Sequence, residues 1–184
     1  MEQGEQAYRR YLDGDESAFA EILELYRDPL TFFICRMVQD LCAAEDIAAD
    51  VFMQLVVHPR RYHFKYSLKT YLFMLARSRS LDYLRKRKRE RERSIPLEDA
   101  EEWLAEEQSL EEQYLQDERA KALHAAIAKL PADQQQAVHL VYFEDRSYED
   151  AARIMRKTRK QVDNLLYRAK NELRGLLGKE AGFR

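Results

Sequence analysis

The chain has 184 residues, 46% of them hydrophobic and 35% charged, with a net charge of only -2. That is enough for one large domain or two small ones with a core and a highly charged surface, and it excludes a simple polycation. The only glycines are Gly4, Gly14, Gly175, Gly178 and Gly182. The middle of the chain therefore lacks the glycine that phosphate-binding loops, dinucleotide fingerprints and tight hairpins need, which points to an all-helical, non-nucleotide-hydrolysing protein.

Residues 1–10 are polar with no apolar run behind them, so no secretory signal is expected. No stretch approaches the length of a membrane span. Cys35 and Cys42 are the only cysteines. Seven apart in a helical pattern, they read as free thiols on a similar, partly buried helix face, and low cysteine use suits a reducing cytoplasm.

Residues 15–26 (DESAFAEILELY) read as a helix with Asp15 as its N-cap and Phe19, Ile22, Leu23 and Tyr26 on one face. Pro29 is expected to break or restart it. Residues 30–41 follow with Leu30, Phe33, Ile34, Met37 and Val38 inward. Residues 43–57 (AAEDIAADVFMQLVV) carry Ile47, Val51 and Leu55 as an apolar stripe, with Glu45, Asp46, Asp50 and Gln54 nearer the polar side. Residues 60–66 (RRYHFKY) form a basic, aromatic loop.

Residues 67–93 then begin as a helix with Leu68, Tyr71, Leu72, Leu75, Ala76 and Leu84 on an apolar face and run out into a cationic arm, Arg85 to Arg89. A cationic track beside aromatic rings is what single-stranded nucleic acid requires: charge for phosphates and flat faces for bases. Residues 94–118 hold many carboxylates, interspersed with Trp103, Leu104, Leu110, Tyr114 and Leu115, and no Lys or Arg. They read as an acidic linker, flexible or partly helical, at a domain boundary.

Beyond it, Leu123, Ile127 and Leu130 mark one helix, ended by Pro131. Residues 133–144 carry Ala137, Val138, Val141 and Tyr142. Ser147 caps a short helix, with Asp150 three residues on and Tyr148, Ala151, Ala152 and Met155 inward. Arg156 and Lys157 make a turn, and Thr158 caps a last helix with Val162, Leu165, Leu166, Ala169, Leu173 and Leu176 inward. A short helix, a tight turn and a longer helix form a helix-turn-helix pattern. The turn lacks glycine, so a left-handed residue there costs about 1 kcal/mol more than glycine would. The outward positions Arg159, Lys160, Gln161, Asp163, Asn164, Tyr167 and Arg168 are types that read base edges.

Three segments in order, AAEDIAADVFMQLVV, SLKTYLFMLARSRSLDYLRKRKR and the stretch from Leu130 to Arg174, resemble those of bacterial RNA polymerase sigma factors of the extracytoplasmic-function group, in the sigma-70 family. The resemblance implies an all-α chain with a four-helix promoter-melting and core-binding domain over residues 1–93, the acidic linker over residues 94–118, and a helix-turn-helix domain over residues 119–184. It implies that Asp46, Asp50 and Gln54 meet core RNA polymerase. It implies that Arg61, His63, Phe64, Lys65, Tyr66, Lys69, Thr70 and Tyr71 engage the −10 element, with Arg85, Lys86 and Lys88 on adjacent duplex backbone. Arg159, Lys160, Gln161, Asp163, Asn164, Tyr167 and Arg168 would enter the −35 major groove, and the linker would thread the polymerase cleft. The implied partners are core polymerase, promoter DNA and an anti-sigma factor, in the cytoplasm, without membrane insertion.

The chain departs from the family pattern at four places: Tyr71 replaces Trp, Ala49 replaces Gln, Ser78 replaces Asn, and Asp163 stands where a basic residue is common. An enzyme is not expected. The histidines His58, His63, His124 and His139 are scattered without metal-ligand spacing, and no metal or cofactor is implied. The alternatives are a stand-alone helix-turn-helix regulator, which would leave residues 15–93 unexplained, and an adaptor that binds polymerase but no promoter.

Overall fold

In a computed structural model, residues 2–93 and 118–180 are described. The acidic segment and its Trp103 lie outside them. Helix α1 spans Gln3–Leu12, α2 Ala18–Val38, α3 Leu41–Val57 and α4 Leu68–Arg93, with a 3-10 turn at Pro59–Arg61 between α3 and α4. Helix α5 spans Glu118–Ala128, α6 Ala132–Val138, α7 Tyr148–Met155 and α8 Arg159–Glu180, with a π-helical turn at His139–Phe143 after α6. No strand occurs among the described residues.

Four helices in the first half were expected, but not these four. The polar start of the chain forms α1, which buries Ala7 and Tyr8. Its Arg10 is held by Asp15 at 2.9 Å and Glu21 at 2.8 Å. Asp15 is thereby an anchor, not an N-cap: Ser17 occupies the cap position of α2 and donates to Asp15 at 2.5 Å.

Pro29 does not break the chain but sits inside α2. Proline in a helix interior costs about 3 kcal/mol or more. Ile22, Tyr26, Leu30, Phe33, Ile34 and Val38 are buried along both halves of α2, and burial contributes about 1.5–3 kcal/mol for each large apolar side chain. Continuity of the buried stripe outweighs one lost hydrogen bond.

The helix stops at Gln39, which is left-handed (φ 54°) and donates its N–H to the Cys35 carbonyl at 2.8 Å. Asp40 then caps α3 by accepting from the Ala43 N–H at 3.0 Å. This corner puts the two free thiols on different helices, Cys35 half-buried and Cys42 exposed.

In the second half, α5, α6 and α7 all pack on α8. Ser147 caps α7 by accepting from the Asp150 N–H at 3.1 Å. Arg156 closes α7 in the left-handed region (φ 54°, ψ 45°), the strained turn the missing glycine foretold. The π turn interrupts the helical pattern of residues 133–144. Its wider hydrogen-bond register rotates the side chains that follow α6, so His139 and Leu140 are buried and Tyr142 is 63% exposed. Buried residues of both halves join one apolar cluster, with α7 packed against α4.

Candidate nucleic-acid interface

The loop before α4 is built around Tyr62, which is 4% exposed. Its hydroxyl donates to the Tyr66 carbonyl at 2.7 Å and lies 3.4 Å from Glu5. Burial, and then the Glu5 carboxylate, push its phenol above the ordinary value, so it stays a neutral donor. Around it, ring centroids lie at 4.6 Å (Phe64), 5.1 Å (Tyr71) and 5.7 Å (Tyr8). Tyr8 is fully buried, donates to the Leu55 carbonyl at 3.0 Å, and has its pKa raised to about 12, chiefly by burial. Phe64 takes a left-handed backbone (φ 54°), and the Arg9 guanidinium lies 4.0 Å over its ring.

The result is an aromatic stack whose base is buried and whose top, Phe64 and Tyr71, is half-exposed. Arg61, His63 and Lys65 are exposed around it. That pairing of ring faces with cations can hold an unstacked base and its phosphates.

Three of the residues singled out beside this stack are engaged by the protein itself. Thr70 is fully buried, where its hydroxyl accepts from Ser67 at 3.0 Å; Ser67 in turn accepts from the Thr70 N–H at 3.1 Å. Thr70 thus serves the first turn of α4 and offers nothing to a ligand in this arrangement. Tyr66 lies under Arg153 at 4.8 Å, and Lys69 reaches the Glu144 carboxylate at 2.8 Å. Further along α4, Arg85 pairs with Asp82 at 2.9 Å, while Lys86 and Lys88 sit 3.9 and 3.8 Å from Glu90 and Glu92. All these side chains are more than 60% exposed, so such pairs are weak and yield readily to phosphate.

On α8, Arg159, Lys160, Gln161, Asp163, Asn164, Tyr167 and Arg168 are all exposed, opposite buried Val162, Leu166 and Ala169. Two of the seven also work within the motif. Thr158 Oγ1 accepts from the Gln161 N–H at 3.2 Å and Gln161 Oε1 accepts from the Thr158 N–H at 2.8 Å, a reciprocal capping box. Arg159 pairs with Glu149 at 3.0 Å. The remaining five present one outward face of mixed donors and acceptors.

On α3, Asp46 and Asp50 are exposed, and Gln54 is half-buried with its carbonyl accepting from Arg61 at 3.3 Å. The same helix face continues into Met53 and Val57, 52% and 57% exposed. Sequence reasoning passed over these two, although Met53 falls three residues after Asp50 and Val57 three after Gln54. It also passed over Arg9 and Tyr8, because α1 was not foreseen. Among the described residues no helix is long and apolar enough to cross a membrane.

Residues 22–90 match the family described as Sigma-70 region 2, and residues 120–173 match Sigma-70, region 4. The chain is 28% identical over 157 residues to the ECF RNA polymerase sigma factor SigM of Bacillus subtilis, covering 85% of this chain and 93% of that one. It is 29% identical over 179 residues to the RNA polymerase sigma-H factor of Pseudomonas aeruginosa, covering 94% and 93%. Among solved structures it resembles the sigma factor RpoE of Bartonella quintana, crystallised with the anti-sigma factor NepR. That match has 30% identity and a TM-score of 0.65, over 86% of this chain and 96% of that one.

Proposed function

We propose, given that this chain belongs to the extracytoplasmic-function group of the sigma-70 family and is an RNA polymerase sigma factor, that its two domains divide promoter recognition between the Tyr62 stack and helix α8. The observation that carries this division is chemical. One domain displays ring faces edged with cations, suited to an unpaired strand. The other displays an exposed helix of base-reading side chains, suited to a major groove.

In this reading Arg61, His63, Phe64, Lys65 and Tyr71 capture an unstacked base of the −10 element, joined by Tyr66 and Lys69, while Arg85, Lys86 and Lys88 follow duplex backbone. Extruding a base costs a few kcal/mol, and stacking returns about 1–3 kcal/mol per base, so one or two rings balance it. Lys160, Asp163, Asn164, Tyr167 and Arg168, with Arg159 and Gln161 at the cap, read the −35 element. Asp163 repels phosphate and favours a cytosine amino group.

Asp46, Asp50 and Gln54 give α3 an acidic face for a basic surface of core polymerase. The protein directs initiation and catalyses nothing itself; it acts in the cytoplasm. The solved relative bound to an anti-sigma factor supports a similar inhibitory partner here. A stand-alone regulator has no specific observation in its favour.

The test is transcription in vitro with purified core RNA polymerase on fragmented genomic DNA of the source organism, with and without this protein. New start sites sharing an upstream motif are expected. Specific DNA retention by the protein alone, with no new starts, would overturn the reading.

A further inference from the structure

Helix α1 meets the aromatic loop with one face. Glu5, Tyr8 and Arg9 are spaced i, i+3 and i+4, which brings side chains together on a helix. Glu5 lies 3.4 Å from the Tyr62 hydroxyl. The Tyr8 hydroxyl donates to the Leu55 carbonyl at 3.0 Å and lies 3.3 Å from the Pro59 carbonyl. Those contacts fix α1 against the end of α3 and the turn that follows it. The Arg9 guanidinium then lies over the Phe64 ring, 4.0 Å from its centroid.

Arg9 and its neighbour have different surroundings. Arg10 is held by two carboxylates, Asp15 and Glu21. Arg9 is exposed and forms no ion pair among the described residues. A guanidinium seated on a ring keeps its charge and its in-plane N–H donors, while the ring fixes where they point. Such a group is suited to a phosphate, which takes two parallel N–H bonds from one guanidinium.

The same contact changes what Phe64 can do. Its ring carries Arg9 over it and has the Tyr62 and Tyr8 centroids 4.6 and 6.2 Å away. Its backbone is left-handed (φ 54°), a conformation that a side-chain-bearing residue keeps only where its surroundings enforce it. A base reaching that ring face has to displace Arg9. Tyr71, half-exposed and packed on Tyr62 at 5.1 Å, is the ring left for stacking.

We propose that Arg9 is a further strand-binding residue of the −10 surface: seated on Phe64, its guanidinium takes a phosphate of the single strand whose unstacked base lies on Tyr71. Phe64 acts through Arg9, as its platform. The inference rests on the −10 assignment above.

The experiment uses holoenzyme assembled from core RNA polymerase and the full chain. Fluorescence anisotropy reads its affinity for a labelled single-stranded non-template oligonucleotide carrying the upstream motif mapped by transcription, over a series of salt concentrations. Each neutralised phosphate of a single strand contributes about 0.7 to the slope of log affinity against log salt. Arg9→Gln, at an exposed position, should therefore make the slope shallower by about 0.7. At 0.1 M salt it should weaken binding about fivefold, which is that slope taken from a 1 M reference. Arg9→Lys keeps the charge and should keep the slope. Phe64→Leu should weaken binding in the wild-type background and add nothing in the Arg9→Gln background.

Weaker binding of Arg9→Gln at an unchanged slope gives Arg9 a purely structural role and overturns the proposal. A Phe64→Leu loss that persists in full in the Arg9→Gln background also overturns it, because the ring then meets the strand directly. Unchanged affinity of Arg9→Gln overturns it as well, and Tyr71→Ala locates the fault. A loss from Tyr71→Ala leaves the −10 assignment standing, whereas no loss from either variant removes that assignment too.

Discussion

The Tyr62 hydroxyl donates to the Tyr66 carbonyl at 2.7 Å, closing the aromatic loop onto the first turn of α4. With the ring buried, nothing else nearby replaces that bond for free. Tyr62→Phe should therefore lower stability by about 1 kcal/mol, read by urea denaturation. It should slow promoter opening more than it weakens core polymerase binding, because the loop loses its anchor while α3 is untouched.

Tyr71 is the half-exposed ring above that anchor, 5.1 Å from Tyr62. Tyr71→Ala removes a stacking face worth about 1–3 kcal/mol, so open-complex formation should fall roughly tenfold or more. Affinity for core polymerase should hold, and Tyr71→Phe should restore opening. Equal losses in core binding and opening would count against base capture.

Gln161 and Arg168 stand on the same face of α8 but should fail differently. Gln161 closes the capping box with Thr158, so Gln161→Ala should cost about 1 kcal/mol of stability as well as −35-dependent output. Arg168→Ala should reduce output from a −35-dependent promoter and leave the melting curve in place. Unchanged output from Arg168→Ala sinks its assignment.

At Gly4, α1 lies close against α2: a Cβ there would overlap the Tyr26 ring. Alanine's better helix propensity is worth about 1 kcal/mol. Overpacking against a buried ring costs about 1–3 kcal/mol. The second effect should prevail, and Gly4→Ala should destabilise the chain in thermal or urea unfolding. A gain in stability would show that α1 shifts freely on α2.

Burial pushes the Glu144 carboxyl up, but its contacts with His139 and Lys69 outweigh it and hold the group below its ordinary value of 4.5. A depressed folded-state value stabilises the fold above that ordinary value, and the contribution is lost as pH falls through the lower, folded one. Lys69 and His139 are the groups that face the carboxylate, while Arg146 donates to the Glu144 backbone carbonyl at 2.9 Å. The stability difference between wild type and Glu144→Gln should therefore shrink as pH falls below the ordinary carboxyl value of 4.5. A constant difference would show that Glu144 carries no charge-dependent contact.

What was legible in the sequence follows from how each feature is encoded. Ser147 and Thr158 were recognisable as caps because a cap acts on an N–H two or three residues away. The basic arm of α4 and the exposed polar face of α8 were visible for the same reason: helical periodicity is a relation among near neighbours. Pro29 misled because its local cost is real, and only the buried stripe on both sides outweighs it. The exposure of Tyr142 was not legible because a π turn shifts the register without any residue that announces it.

The sequence by itself determined the all-helical class, the helix-turn-helix, the chemistry of both candidate DNA surfaces and the family. Each of these resides in spacing and residue type over a few turns. The tertiary structure alone decided that Thr70 is buried and Tyr62 is the hub of the stack. It also decided that Lys69 meets Glu144 across 75 positions of chain. Those facts depend on which helix faces pack together, and packing joins residues that no local period relates.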